Sequence, residues 1–226
     1  MAFTLDAVVP WGRSFKEYVA MFSLSDADLE TRILGCGDGP AAFNCVLTKD
    51  GGKVVSVDPI YQFTVEEIQA RIAATFDEVI EKTRQNQEEF VWTTIHSPAE
   101  LGRVRMAAMG QFLADYERGK LGGRYITASL PELPFANDSF DLALCSHLLF
   151  LYSDQLDLDF HLAAIQEMLR VSKEVRIFPL LELGTVRSRH LEAVITKLEA
   201  LGCSLQIETV DYEFQKGGNE MLRVIV

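Results

Sequence analysis

Leu34-Gly35-Cys36-Gly37-Asp38-Gly39-Pro40 is the stretch on which the fold turns. It follows a short apolar strand, Arg32-Ile-Leu-Gly, and leads into a short helix over Pro40 to Thr48. Backbone that passes close beneath a bound nucleotide cannot carry Cβ atoms, so glycines gather at such turns. A dinucleotide fold asks for G-x-G-x-x-G, with the third glycine letting helix and strand pack. Here the third glycine arrives one residue early, at Gly39, and Pro40 takes the reserved position. That spacing disfavours a nicotinamide-dependent dehydrogenase.

Outward from the loop, Lys53-Val-Val-Ser-Val-Asp58 reads as a buried strand. Asp58, at its end, is placed to accept hydrogen bonds from both hydroxyls of a ribose. Further strands are expected at Arg124-Tyr-Ile-Thr-Ala, Phe140-Asp-Leu-Ala-Leu-Cys145 and Glu174-Val-Arg-Ile-Phe178. Helices fall near Asp154 to Val171 and Ser188 to Leu201, with two more, Ser14 to Phe22 and a short one after Ser25, before the first strand. Strands alternating with helices mean βαβ units and a parallel sheet. The end of the chain differs: Ser204 to Phe214 and Glu220 to Val226 read as two strands joined by the glycine-rich turn Gln215-Lys-Gly-Gly-Asn, so the last strand is antiparallel.

The connection between Asp58 and Tyr125 is far longer than a plain crossover requires. Two helices fill it. Thr64-Val-Glu-Glu67 and Ser97-Pro-Ala-Glu100 are both capping boxes, the second with proline at its first helical position. The first leads to an apolar stripe of Val65, Ile68, Ile72, Phe76, Val79 and Ile80, the second to Leu101, Val104, Ala108, Met109, Phe112, Leu113 and Tyr116. The insert is either packing around the crossover or a lid over a substrate site.

Composition sets the class. The 226 residues are 48% hydrophobic and 24% charged, enough apolar surface to offset chain entropy, which excludes disordered and low-complexity chains. With 33 acidic against 21 basic residues the net charge is −12, and the basic residues are scattered. General nucleic-acid binding and attachment to an anionic membrane are therefore not expected. Cys36, Cys45, Cys145 and Cys203 form no C-x-x-C pair or metal-ligand spacing, which fits a reduced, cytoplasmic setting. Met1-Ala-Phe-Thr-Leu-Asp lacks a basic segment followed by an apolar one, so neither a secretory leader nor a membrane span is expected.

Taken with Leu133-Pro134-Phe135-Ala-Asn-Asp138-Ser139-Phe140-Asp141-Leu-Ala-Leu-Cys145-Ser146-His147 and Glu167-Met-Leu-Arg170-Val171, these features resemble the class I S-adenosylmethionine-dependent methyltransferases. The resemblance spans nearly the whole chain except the insert and the first dozen residues. It implies an α/β, doubly wound, Rossmann-like sheet of about seven mostly parallel strands, the last antiparallel, with the helical insert between strands 2 and 3. Residues 1–226 would form one domain, with 1–30 an N-terminal helical segment and 60–122 the insertion. The implied cofactor is S-adenosylmethionine and the implied acceptor a small molecule. The alternative is a non-catalytic S-adenosylmethionine-binding protein whose insert serves a partner.

Carried over by position, the resemblance puts Gly35, Cys36, Gly37, Asp38 and Gly39 beneath the cofactor and Asp58, flanked by Pro59, on its ribose. Ser129 stands where many relatives have an adenine-binding Asp, and the backbone N–H of Leu130 would face the ring. Cys145 and Ser146 would offer backbone groups to the methionine end, and Arg13, in a helix covering the cofactor with Trp11 and Tyr18, would pair with the methionine carboxylate or else lie solvated. Ile33 replaces an acid common in relatives, and Ser172-Lys173-Glu174 replaces a glycine turn.

Methyl transfer draws much of its rate from orientation and desolvation, so it needs no fixed catalytic motif. His147 is the candidate general base, against the reading of a packed histidine. Tyr152 and Asp154 could line the acceptor pocket, although Ser153 or Asp154 also suits a helix cap. Asp154, Asp157, Asp159 and His161 do not converge on one ion, so no metal is expected.

Overall fold

The structure, a computed structural model, describes residues 3–5 and 8–225. Met1, Ala2 and Asp6 of the stretch read for a leader, and Val226 of the last strand, lie outside the described residues. The strands are β1 (Arg32–Cys36), β2 (Lys53–Val57), β3 (Tyr125–Ile126), β4 (Phe140–Ser146), β5 (Ser172–Phe178), β6 (Ser204–Thr209) and β7 (Glu220–Ile225). The helices are α1 (Phe15–Met21), α2 (Asp26–Leu29), α3 (Phe43–Lys49), α4 (Val65–Gln85), α5 (Pro98–Leu121), α6 (Leu158–Val171) and α7 (Leu191–Ala200).

The strands form one sheet in the order β3-β2-β1-β4-β5-β7-β6, with β7 antiparallel to both neighbours and all other pairs parallel. The expected Rossmann-like sheet with an antiparallel last strand is borne out. The antiparallel strand does not form the edge, however, because β6 pairs on its outer side. Both faces of the sheet are covered, as alternation along β4 makes plain. Leu142 and Leu144 face α1 and α3 with Tyr18, Phe22 and Phe43, whereas Ala143 and Cys145 face α6 and α7 with Ile165, Met168 and Val194. In α4 and α5 the apolar stripes bury Ile68, Ile72, Met109, Phe112 and Tyr116 with Tyr61 and Tyr125, so the insert packs on the β3 side of the sheet.

Several boundaries and one cap differ from expectation; α3, β5 and α7 begin at Phe43, Ser172 and Leu191, and four further cases have a local reason. β3 keeps only two residues in register with β2, at Ser56↔Tyr125 and Val57↔Ile126. β6 stops at Thr209 because the chain leaves the sheet after Val210: Phe214 stacks on Phe90 at 5.0 Å, and its carbonyl accepts from the Val91 N–H. α6 is capped by Asp157, not Ser153 or Asp154, since Phe150–Tyr152 form a buried 3₁₀ turn and the Ser153 hydroxyl turns inward to the Phe150 carbonyl. At α5 the Ser97 hydroxyl accepts from Glu100 N, but the Glu100 carboxylate reaches past Ser97 to His96 N at 2.8 Å, leaving the box half made.

One buried charge lies inside a stripe expected to be apolar. Arg105, one turn after Leu101 and one before Met109, is 1% exposed and places Nη1 2.6 Å and 2.7 Å from the two Glu17 oxygens. Glu17 also accepts from Ser14 N and from the Tyr212 hydroxyl. Burial alone would raise its pKa, but Arg105, the Ser14 N–H and Arg13 outweigh it and hold the carboxyl at about 2. Removing one partner of such a pair leaves the other charge stranded. The substitution Arg105→Leu is therefore expected to cost about 3 kcal/mol in urea unfolding.

Candidate functional site

The glycine loop leaves β1 and folds over a carboxylate. Asp38 turns back under the loop into space that only glycine leaves: a Cβ on Gly35 would sit 1.8 Å from Asp38 Oδ2. There Asp38 accepts from the Tyr18 hydroxyl at 2.9 Å and the Ser56 hydroxyl at 2.6 Å. Behind Ser56, the Asn44 amide donates to its hydroxyl and to the Arg124 carbonyl, while Arg124 pairs with Asp115. Burial pushes Asp38 up to about 6; the two hydroxyls oppose that shift and the nearby Asp58 reinforces it. Gly37 and Gly39 both adopt left-handed backbone, with φ of 68° and 53°. Beside a Cβ on Gly39 there would be only Asp58 Oδ2, at 3.9 Å.

Asp58 follows β2 and faces this loop. Its oxygens accept from Gly39 N at 2.9 Å and Ile60 N at 2.8 Å, so it fixes the loop and also caps the 3₁₀ turn Pro59–Gln62. Burial raises its pKa despite both hydrogen bonds. In front lies a cavity of about 710 Å³ at the carboxyl ends of the parallel strands, where ligands of open α/β sheets bind. Gly37, Asp38, Gly39, Asp58, Pro59, Ser129, Leu130, Ser146, His147 and Arg13 all line it.

Two of these carry unusual side chains. His147 has left-handed backbone with φ 53°, its N–H donates to the Phe178 carbonyl at 2.6 Å, and its Nδ1 lies 2.8 Å from Ser146 Oγ. Enclosure by protein, with Arg13 and Arg105 nearby, drives its pKa well below the usual imidazole range, so the ring is neutral at pH 7. It is thus both packed and cavity-lining. Arg13 donates from Nη1 to the Trp11 carbonyl, while its buried Nε has no hydrogen-bond partner. Its pKa is lowered, first by burial and then by Arg105.

Gly35, Cys36 and Cys145 do not reach the cavity. The two cysteines are register partners on β1 and β4, fully buried on the α6/α7 face, and burial pushes the Cys145 thiol up to about 12. Tyr152 lines the cavity, whereas Asp154 pairs at the surface with Arg189. Among the described residues no group of three His, Cys, Asp or Glu is placed to hold a metal ion, and no helix is long and apolar enough to cross a membrane.

Several lining residues lay outside the sequence reading: Phe3, Leu5 and Val9 before α1, Phe90 after α4, and Phe214 and Gln215 between β6 and β7. Isolated apolar residues in irregular segments carry no periodic signal. Arg105 did carry one, as a lone charge within the apolar stripe of α5.

No protein-family profile matches the chain. Among solved structures, the mitomycin 7-O-methyltransferase MmcR is 11% identical, with 93% of this chain and 53% of that chain covered, at a TM-score of 0.50. The magnesium protoporphyrin IX methyltransferase of Synechocystis PCC 6803 is 13% identical over 93% of this chain and 77% of that one, at a TM-score of 0.47. Strand order and antiparallel β7 make this the class I methyltransferase fold. The uncharacterized protein MJ0045 of Methanocaldococcus jannaschii is 34% identical over 212 residues, 93% of each chain. The chain belongs to the same family as that protein.

Because the folded pKa of Asp38 lies above its ordinary 3.8, the native state binds the extra proton between about pH 4 and 6. That contribution to stability is present below this window and is lost as pH rises through it. Asp38→Asn, which has the same shape, should remove it. Urea unfolding at pH 4 and 7 should show the native protein losing about 2 kcal/mol relative to the variant between the two.

Proposed function

We propose that this protein is an S-adenosylmethionine-dependent methyltransferase acting on a small-molecule acceptor. In this reading residues 1–226 work as one domain, 1–30 covering the cofactor and 60–122 forming the insertion. The observation that carries it is the Gly37-Asp38-Gly39 turn tied by Gly39 N to Asp58 at the floor of the cavity. Open space beside Gly39 and the unpartnered Nε of Arg13 both fit a ligand with a ribose and a carboxylate.

Asp58 would hold the ribose hydroxyls, with Pro59 flanking, while Ser129 and the Leu130 N–H face the adenine. Arg13 would take the methionine carboxylate and Ser146 the same end of the cofactor. Gly35, Cys36 and Cys145 would contribute only by shaping the loop and strands beneath. When bound, S-adenosylmethionine supplies a methyl carbon to which an acceptor lone pair bonds as the C–S bond breaks, its electrons staying on sulfur. Neutral His147 would be the group to accept the proton an acceptor releases, in a setting where burial and the nearby guanidiniums make it a weak base. The partner-binding alternative is less favoured, because the apolar faces of α4 and α5 are spent within the chain.

Isothermal titration should detect S-adenosylmethionine, with Asp58→Ala weakening binding by about 1–3 kcal/mol, as expected for hydrogen bonds to a charged group. Absence of binding to the unaltered protein at millimolar ligand would overturn the proposal.

A further inference from the structure

Beyond the floor just described, the cavity changes character. Phe3, Leu5, Val79, Phe90 and Leu151 form one buried cluster, joined by Leu183 and Phe214. All of these line the same cavity as Asp58 and Arg13. The rings meet one another: Phe3 and Phe90 edge to face at 5.6 Å, Phe90 and Phe214 stacked at 5.0 Å.

Most polar side chains on this side are spent on the main chain, and the exposed Arg71 lies over the Phe63 ring. Glu89 accepts from Phe3 N, Thr83 donates to the Val79 carbonyl, Thr75 to Arg71 and Ile72 carbonyls, and the Gln215 amide to the Glu182 carbonyl. A bound molecule with several hydroxyls or charges would leave them unpaired in this half. A flat hydrocarbon surface would meet aromatic faces and edges.

We infer that the methyl acceptor is an apolar molecule with an aromatic body and a single polar group, the body seated between Val79, Phe90, Leu151 and Phe214 and the polar group turned toward His147. This rests on the methyltransferase reading and narrows its substrate class. Sugars, nucleosides and amino acids, which carry several polar groups, are expected to bind this half more weakly.

The test uses the full chain, 2-naphthol as probe and uridine as a polar counterpart, each titrated calorimetrically with S-adenosylhomocysteine present. The expected result is 2-naphthol binding at least about 10-fold tighter than uridine. Val79→Trp, which fills the chamber, and Leu183→Gln, at a half-buried loop position, should each weaken 2-naphthol by about 10-fold while changing S-adenosylhomocysteine affinity by less than about twofold. Equal binding of the two probes, or 2-naphthol binding that neither variant alters, would overturn the inference. Failure of S-adenosylhomocysteine itself to bind would instead remove the methyltransferase reading on which it rests.

Discussion

A carboxylate is buried beneath the glycine loop, and the site is arranged around the need to satisfy it. Asp38 sits where Gly35 leaves room, and its two oxygens are bonded by hydroxyls from different elements, Tyr18 on α1 and Ser56 on β2. An unpaired carboxylate in this position would be too costly to keep. Satisfying it therefore fixes the helix that roofs the loop, the strand beside it and the left-handed turn through Gly37 and Gly39. The chain of partners continues through Asn44 and Arg124 to Asp115 on α5, so the insert is connected to the floor of the site through polar groups as well as apolar packing.

A second buried carboxylate does comparable work above. Glu17 on α1 gathers Arg105 from the insert and Tyr212 from the β6–β7 connection. Three segments far apart in sequence thus meet over the sheet through one acidic group. The neighbouring Arg13 is left without an ion-pair partner among the described residues, and burial, reinforced by the two guanidiniums, keeps His147 neutral. Charge at the cavity is uneven: Asp38 and Asp58 at the glycine loop, Arg13 beside His147, and on the α4 side Arg71 and Glu89 among apolar walls.

Sheet, loop and acid were legible in the sequence because each rests on a short-range rule. Buried strands announce themselves by apolar runs between turns, the loop by glycine spacing, and Asp58 by its distance from that loop. The purpose of Gly35 was not legible in the same way. Its spacing suggested a surface beneath a ligand, whereas the missing side chain makes room for Asp38, a relation visible only when the backbone folds back on itself. The apolar chamber was hidden for another reason. Its walls are single residues from irregular segments, which periodicity cannot detect, and the turn at Gln215 to Asn219 read as a plain hairpin although the chain first departs to cover Phe90. Arg105 was a buried group that periodicity could have exposed, as were His161 in α6 and Asp115 in α5.

The position of β7 has a geometric consequence for that departure. Since β7 runs against both β5 and β6, β6 itself runs with the parallel strands, and its end opens at the same edge as theirs. The link between β6 and β7 therefore emerges above the ligand-binding rim, anchored at Val210 and Asn219 by the ladder and bridged between them to Phe90, outside the main sheet. Apart from Tyr212, which donates to Glu17, and Gln215, which bonds the Glu182 carbonyl, this segment can change in composition, and so change what the chamber admits, without shifting a strand or disturbing Asp38 and Asp58.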